Sequence, residues 1–468
     1  MGGDVFDRAA YFVSATVRQL RCKRPALSRA LKGCAADLHM GGLDVQVRGS
    51  ASALAAALSQ QLDELRLVDS EEPAEASVLS AALAAVALIG GAACSKCNDK
   101  ATATALLDSA LLRARRQAHS DLLLCAIAVL EDAFSEEAAL HMGKRQRRGG
   151  WVASGESPSP SASPPMPSPS SAPTASIRQL SIASGEAALC AAVHRATSDR
   201  IEPLLLRGIA CSWPATTRWA DPDYLRCVAG SRLVPVEVGA MHLAGARGAS
   251  ESGGVTESGG VREQTVVVPL RTFIDDVVLG GRAANADGAE TRAVSRSVPV
   301  TAAATRGYLA QHRLFDQVPA LAADVPRLSL LPGHADRRAW FGPAHVSTPI
   351  HYDHHHGLLV QVVGHKRVML WPPSASTLLR APPAGTPLAN TSPHDPCHPA
   401  ALLGSADELR ILQAMCYSIE LHPGDAVLIP QGWWHYTRSL TVSFSVSLWW
   451  DRCDPLTAPV PTATASCM

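Results

Sequence analysis

Net charge is the first thing this sequence lacks. Lys and Arg number 42, Asp and Glu number 42, and charged residues make up only 18% of its 468 positions. A neutral chain has no bulk electrostatic attraction to nucleic acid or to an anionic membrane. Direct sequence-specific nucleic-acid binding is therefore not expected, and a protein, peptide or small-molecule substrate is the better default. A disulfide framework is missing too. The 12 cysteines are scattered from Cys22 to Cys467, which in a chain this long points to reduced, intracellular thiols. Cys94 and Cys97 have zinc-like spacing but lack a second CxxC or paired histidines, so two small residues beside a helix is the preferred reading. Long apolar runs are absent as well. The most apolar stretch, 78–89, is alanine-rich and falls short of the ~20 residues needed to cross a bilayer; it reads as a buried helix. Asp4, Asp7 and Arg8 interrupt the start, so no secretory signal is expected. The expectation is a soluble protein, nuclear or cytoplasmic.

What is present falls into distinct regions. Residues 1–145 are rich in Ala and Leu and show almost no strand-like alternation. Leu123, Ile127, Leu130 and Phe134 form one stripe of an amphipathic helix, with Asp121 placed as its N-cap or first-turn acid. This region reads as a small all-α domain with no chemistry of its own. Residues 146–178 read as a linker, basic and then Pro/Ser-rich, and the run SPSPSASPPMPSPSSAPTAS cannot build a core. The cluster KRQRR at 144–148 is a candidate nuclear-import signal or simply a solvated linker end. From 179 to 455 the pattern becomes short β-type runs separated by Pro, Gly and Asp turns, which indicates a sandwich or barrel. Polar stretches near 244–263 and 281–300 read as surface insertions, and 456–468 as a flexible tail. In the last strand Val442, Phe444, Val446 and Leu448 alternate with Ser443, Ser445 and Ser447. One face should pack on an apolar layer while the other looks into a polar interior.

The chemistry concentrates in TPIHYDHHHG. His351 and Asp353 stand two apart, so on a strand they share a face and can converge on one ion. His435 follows 84 residues later (435 − 351), after a Pro-Gly-Asp turn, the run AVLIP and the pair Trp433–Trp434. Two histidines and one carboxylate on one side of an octahedral Fe(II) leave three positions open, enough for a bidentate oxoacid and O2. The segment is crowded with histidines, and His354, His355 and His356 read as pocket-mouth or solvated residues rather than ligands. Lys366 shares a strand face with Val368 and Leu370. A buried lysine needs an anionic partner, and the distal carboxylate of 2-oxoglutarate is the obvious candidate.

At this point the residues resemble a known family. WPATTRW, VPVEVG, GYLAQHRLFDQVP, AWFGP, STPIHYD, LLVQVVGHKRVMLWPP, ANTS, PGDAVLIPQGWWHYTRSL and FSVSLWW together resemble the JmjC-domain oxygenases. They look most like the subfamily described as bifunctional peptidase and arginyl-hydroxylase. The resemblance runs in order over roughly half the chain; for the N-terminal region it is only architectural. It implies an α+β protein, in which a double-stranded β-helix (a cupin-like jelly roll) is preceded by the small helical domain. It also implies that Tyr308 and Thr348 join Lys366 around the cosubstrate, that Trp340 lines the pocket near the substrate, and that Glu237 contacts a substrate guanidinium. There is one departure: Gly357 stands where relatives typically carry Asn, and His354 to His356 replace a Pro-Gln-Gln type sequence.

The resulting expectation is an Fe(II)-, 2-oxoglutarate- and O2-dependent hydroxylase of a protein side chain, arginyl in the leading reading. Histone N-methyl demethylation is the first alternative, although no PHD- or Tudor-type reader is recognisable. Proteolysis is a further alternative that lacks a recognisable nucleophile–base arrangement. A non-catalytic cupin-like binding protein is the last, opposed by the intact triad with Lys366 and Tyr308. The sequence does not decide the oligomeric state.

Overall fold

The computed structural model describes residues 176–198, 201–238, 264–280, 307–332, 335–380, 382–383, 388–396 and 406–451. It also describes Trp151 and helical pieces within 12–17, 51–59, 80–90, 100–113 and 123–127. The stretches read as insertions, KRQRR, Cys94, Cys97, Asp121, Leu130, Phe134 and the tail 456–468 lie outside the described residues.

Among the described residues thirteen strands follow in chain order. They are β1 (Arg178–Ser181), β2 (Leu204–Arg207), β3 (Leu233–Val238), β4 (Gln264–Pro269) and β5 (Gly307–His312). Next come β6 (Asp336–Gly342), β7 (Ser347–Tyr352), β8 (His356–Val363) and β9 (Lys366–Trp371). The last four are β10 (Tyr417–Leu421), β11 (Ala426–Ile429), β12 (Trp434–Ser439) and β13 (Ser443–Trp450). Strands β6 to β13 distribute between two sheets, β11-β8-β13-β6 facing β10-β9-β12-β7. That arrangement is the expected double-stranded β-helix. The first sheet is extended to nine strands by β1-β2 on one edge and β5-β3-β4 on the other.

Alternation along each strand divides the apolar residues between two layers. Phe444, Val446 and Leu448 of β13 join the main core with Trp219, Phe341 and Val360. Helix packing covers that face: in α1 (Glu186–Ser198), Leu189, Ala192, Val193 and Ala196 recur at helical spacing and are all buried in it. A second helix, α2 (Pro222–Ala229), begins where Asp221 accepts a hydrogen bond from the Asp223 amide, with proline at its first position. Between the two sheets a smaller apolar layer forms from Leu359, Val368, Leu370, Leu421, Val427 and Ile429.

In the N-terminal region the apolar stretch read as a buried helix is helical over its described part, 80–89, and buried there. Leu123 and Ile127 lie in the same cluster. No helix among the described residues is long and apolar enough to cross a membrane. Trp151, within the stretch read as linker, donates its indole N–H to the Trp219 carbonyl (2.8 Å) and meets Phe341 edge-on at 5.4 Å.

Candidate metal centre and pocket

Strand pairing brings the HxD pair to His435. His351 of β7 lies directly opposite His435 of β12, which places their side chains on one face of the sheet. Asp353, two residues past His351, reaches the same point. Its two oxygens lie 3.8 Å from His351 Nε2 and 3.8 Å from His435 Nε2, and the imidazole centroids are 4.1 Å apart. One ligand atom from each of the three residues lies within 4.8 Å of the others.

Backbone carbonyls decide which ring nitrogens face inward. His351 Nδ1 meets the Pro349 carbonyl at 2.8 Å and His435 Nδ1 meets that of Trp433 at 3.1 Å. A carbonyl only accepts, so each Nδ1 carries the proton and each Nε2 lone pair is left for an ion. Burial, assisted by the facing His351, lowers the His435 imidazole to about 4, so it is neutral in the physiological range. The loop ANTS holds this arrangement from outside. Asn390 donates its side-chain amide to the Tyr352 carbonyl (2.9 Å), and Ser392 donates its backbone N–H to that of Ile350 (2.8 Å).

The same concavity is lined by Tyr308, Thr348, Lys366 and Trp340 along with the triad. Lys366 is 2% exposed, and its ammonium lies 3.3 Å from the Tyr308 hydroxyl and over the Tyr308 ring. Among the described residues no carboxylate lies within ion-pair distance of it. Burial draws its pKa down to about 7. Burial also raises the Tyr308 phenol, reinforced by Glu237, which stands opposite Tyr308 in the β3–β5 pairing. Glu237 is half-buried and lies outside the lining of this pocket.

Other lining residues escaped the sequence reading. Thr437 follows His435 by two and Trp449 follows Ser447 by two, so strand alternation could have found both. The polar face of β13 divides its labour. Ser447 lines the pocket and accepts the Trp340 indole N–H (2.9 Å), whereas Ser443 and Ser445 bond the buried Gln361 side chain (2.9 and 2.7 Å). Gly357 sits against Trp449: a Cβ there would meet the indole at 3.0 Å. The indole fills the space above the glycine.

His354 and His355 line an open groove that shares Asp353 with the pocket, whereas His356 is buried and accepts the Gln431 amide (3.1 Å). Asp336, Asp451, Arg338, Trp449 and Trp450 also line the groove. Gln311, at a bulge in β5, contributes to it with φ of +52°, a left-handed conformation that costs about 1–3 kcal/mol for a non-glycine residue.

Comparison with known proteins agrees with this geometry. The cupin-like domain family matches residues 191–454, more than half of the chain. The chain belongs to that family. It is 35% identical over 257 residues to Jumonji C domain-containing protein 5 of Drosophila melanogaster, covering 53% of this chain and 55% of that protein. It is 35% identical over 257 residues to lysine-specific demethylase JMJ30 of Arabidopsis thaliana, covering 53% and 50%. Against lysine-specific demethylase 8 of Danio rerio it is 35% identical over 274 residues, covering 56% and 57%. The chain thus matches about half the length of these relatives. They are JmjC proteins and lysine demethylases by name; an arginyl-hydroxylase and peptidase subfamily is not singled out among them.

Proposed function

We propose that this chain is an Fe(II)- and 2-oxoglutarate-dependent oxygenase that hydroxylates a protein side chain, with arginine the leading target. One observation carries the reading: a metal-competent His351, Asp353 and His435 set shares a pocket with a buried lysine that has no carboxylate partner among the described residues. The donor set suits Fe(II), since two imidazole nitrogens and a carboxylate oxygen hold one side of the ion and leave the other open. The lysine suits the cosubstrate, since an ammonium in an apolar wall is stabilised by an anion. When bound, Fe(II) with 2-oxoglutarate and O2 supplies the oxidising chemistry that places oxygen on a C–H bond.

The rest is the work of the chain's own residues. Lys366, Tyr308 and Thr348 donate hydrogen bonds to the distal carboxylate and set the orientation of the cosubstrate. Trp340, Trp449, Leu359 and Ile429 keep the pocket apolar and restrict water. The groove that meets the pocket at Asp353 admits a side chain from a protein or peptide, and of its acids Asp336 is paired with Arg338 (2.5 Å) and Asp451 with His355 (2.6 Å). A carboxylate binds guanidinium in bidentate fashion. The resemblance assigns that contact to Glu237, and Glu237→Gln tests the assignment by a raised KM for an arginyl peptide.

A second reading is histone N-methyl demethylation, and the names of two of the relatives favour lysine demethylation. There the oxygenated carbon is the N-methyl group, and formaldehyde leaves. Succinate formation is measured across arginyl and methyl-lysyl peptides for wild type and His351→Ala. The expected result is a product heavier by one oxygen on an arginyl peptide, without formaldehyde, and no turnover by His351→Ala. Formaldehyde from a methyl-lysyl peptide would replace the first reading by the second. Failure to bind Fe(II) and 2-oxoglutarate together under anaerobic conditions would remove both.

A further inference from the structure

We infer that the chain carries a second transition-metal site, of the zinc class, formed at its surface by His365, Glu420 and His422. It is separate from the triad and independent of the oxygenase reading.

Two turns and a strand end build it. His365 occupies the turn between β8 and β9, and its backbone is held at both ends. Its amide donates to the Thr441 hydroxyl (2.9 Å) and its carbonyl accepts the Leu440 N–H (2.8 Å). The preceding Gly364 has φ of +71°, and a Cβ there would fall 1.9 Å from the Val442 carbonyl oxygen, so the turn admits only glycine. His422 opens the turn between β10 and β11, where its amide donates to the Asp425 carboxylate (3.2 Å) and its carbonyl accepts the Asp425 N–H (2.9 Å). Glu420 stands near the end of β10, paired with Arg367 of β9. The three backbones are therefore fixed before any ion arrives, which lowers the ordering cost of binding.

The side chains converge on one carboxylate oxygen. Glu420 Oε1 lies 3.4 Å from His365 Nδ1 and 3.8 Å from His422 Nε2, while the other oxygen, Oε2, lies 3.9 Å from Arg367. The imidazoles meet edge-on with centroids 4.8 Å apart. One ligand atom from each residue lies within 4.8 Å of the others, as in the triad. With bonds near 2.0–2.1 Å, ligand atoms around a tetrahedral zinc are about 3.3 Å apart, so the first two separations need only small rotations of exposed side chains. Asp425 lies 3.5 Å from the remaining ring nitrogen of His422 and also binds Arg207 (2.6 Å). A carboxylate behind a ligating imidazole orients the ring and raises its basicity.

Two imidazoles and one carboxylate favour Zn2+, Co2+, Ni2+ or Cu2+ over Mg2+ or Ca2+. The side chains are 40%, 40% and 51% exposed, so an ion can enter without any opening of the fold. Bound there, it ties the turn preceding Lys366 to β10, whose Leu421 pairs with Lys366.

The test is a calorimetric zinc titration of the full-length wild type, His351→Ala, His365→Ala and the His351→Ala/His365→Ala chain. His351→Ala disables the triad, and zinc held by cysteines elsewhere is common to all four proteins and cancels. The expected result is one equivalent present in His351→Ala and missing from the double variant. Glu420→Gln in the His351→Ala background should weaken that equivalent by about tenfold or more. Equal uptake by His351→Ala and the double variant would overturn the site. Should His365→Ala disturb folding by circular dichroism, His422→Ala in the same background is read in its place, with the same two outcomes.

Discussion

A lysine buried beside a tyrosine hydroxyl costs stability and rewards the anion that reaches it. Burial lowers the Lys366 ammonium to about 7, whereas lysine in an unfolded chain titrates near ~10.4. Between those values the unfolded chain holds more protons than the folded one, so stability from this group rises with pH through that window and is level below it. Without cosubstrate, the urea midpoint should climb between about pH 7 and about pH 9.5, and Lys366→Met should remove that component of the slope. The same substitution should weaken 2-oxoglutarate by about 2–5 kcal/mol, or roughly 30- to 5,000-fold, because a carboxylate is left without its cation. Anaerobic cosubstrate titration measures this, and unchanged affinity would take Lys366 out of its proposed role.

At the level of the element, β13 holds the main core together while it lines the pocket. Phe444 is fully buried, stacked on Phe341 at 4.8 Å and tilted against Trp219 at 4.5 Å. Phe444→Ala should cost about 3–5 kcal/mol in urea unfolding, since the ring's transfer energy is lost and the rigid neighbours cannot close the void. A loss below about 1 kcal/mol would show that the site collapses and that the sheet face is less tightly packed than the ring geometry implies. The alternation that buries Phe444 sends Ser447 and Trp449 to the other face, so core and pocket depend on one register.

For the whole molecule, a buried ion pair joins the helix Lys100–Leu112 to the cupin-like domain. Asp108 of the helix Lys100–Leu112 receives two hydrogen bonds from Arg232 (2.7 and 2.8 Å) and a third from the Leu233 amide (2.9 Å), just where β3 begins. Both side chains are almost fully buried, at 0% and 2% exposure. Asp108→Ala should destabilise the chain by about 3–5 kcal/mol by taking the carboxylate away from a buried guanidinium, whereas Asp108→Leu with Arg232→Met should recover much of that loss. Thermal unfolding of the three proteins checks this; equal losses for single and double variants would mean that the charge pair itself is not what joins the regions.

That His351, Asp353 and His435 could converge was legible in the sequence because its logic is local. Strand alternation puts His351 and Asp353 on one face, and the turn and aromatic pair ahead of His435 mark a strand start. Lys366 was legible for the same reason, as a charge on an apolar face. Local pattern could not show that β7 and β12 are neighbours, that Trp449 lies over Gly357, or that Asp336 and Asp451 meet in one groove beside the triad. Nor could it join His365 to His422, or Asp108 to Arg232. Those contacts link residues that are distant in the chain, and only sheet order and domain packing bring them together.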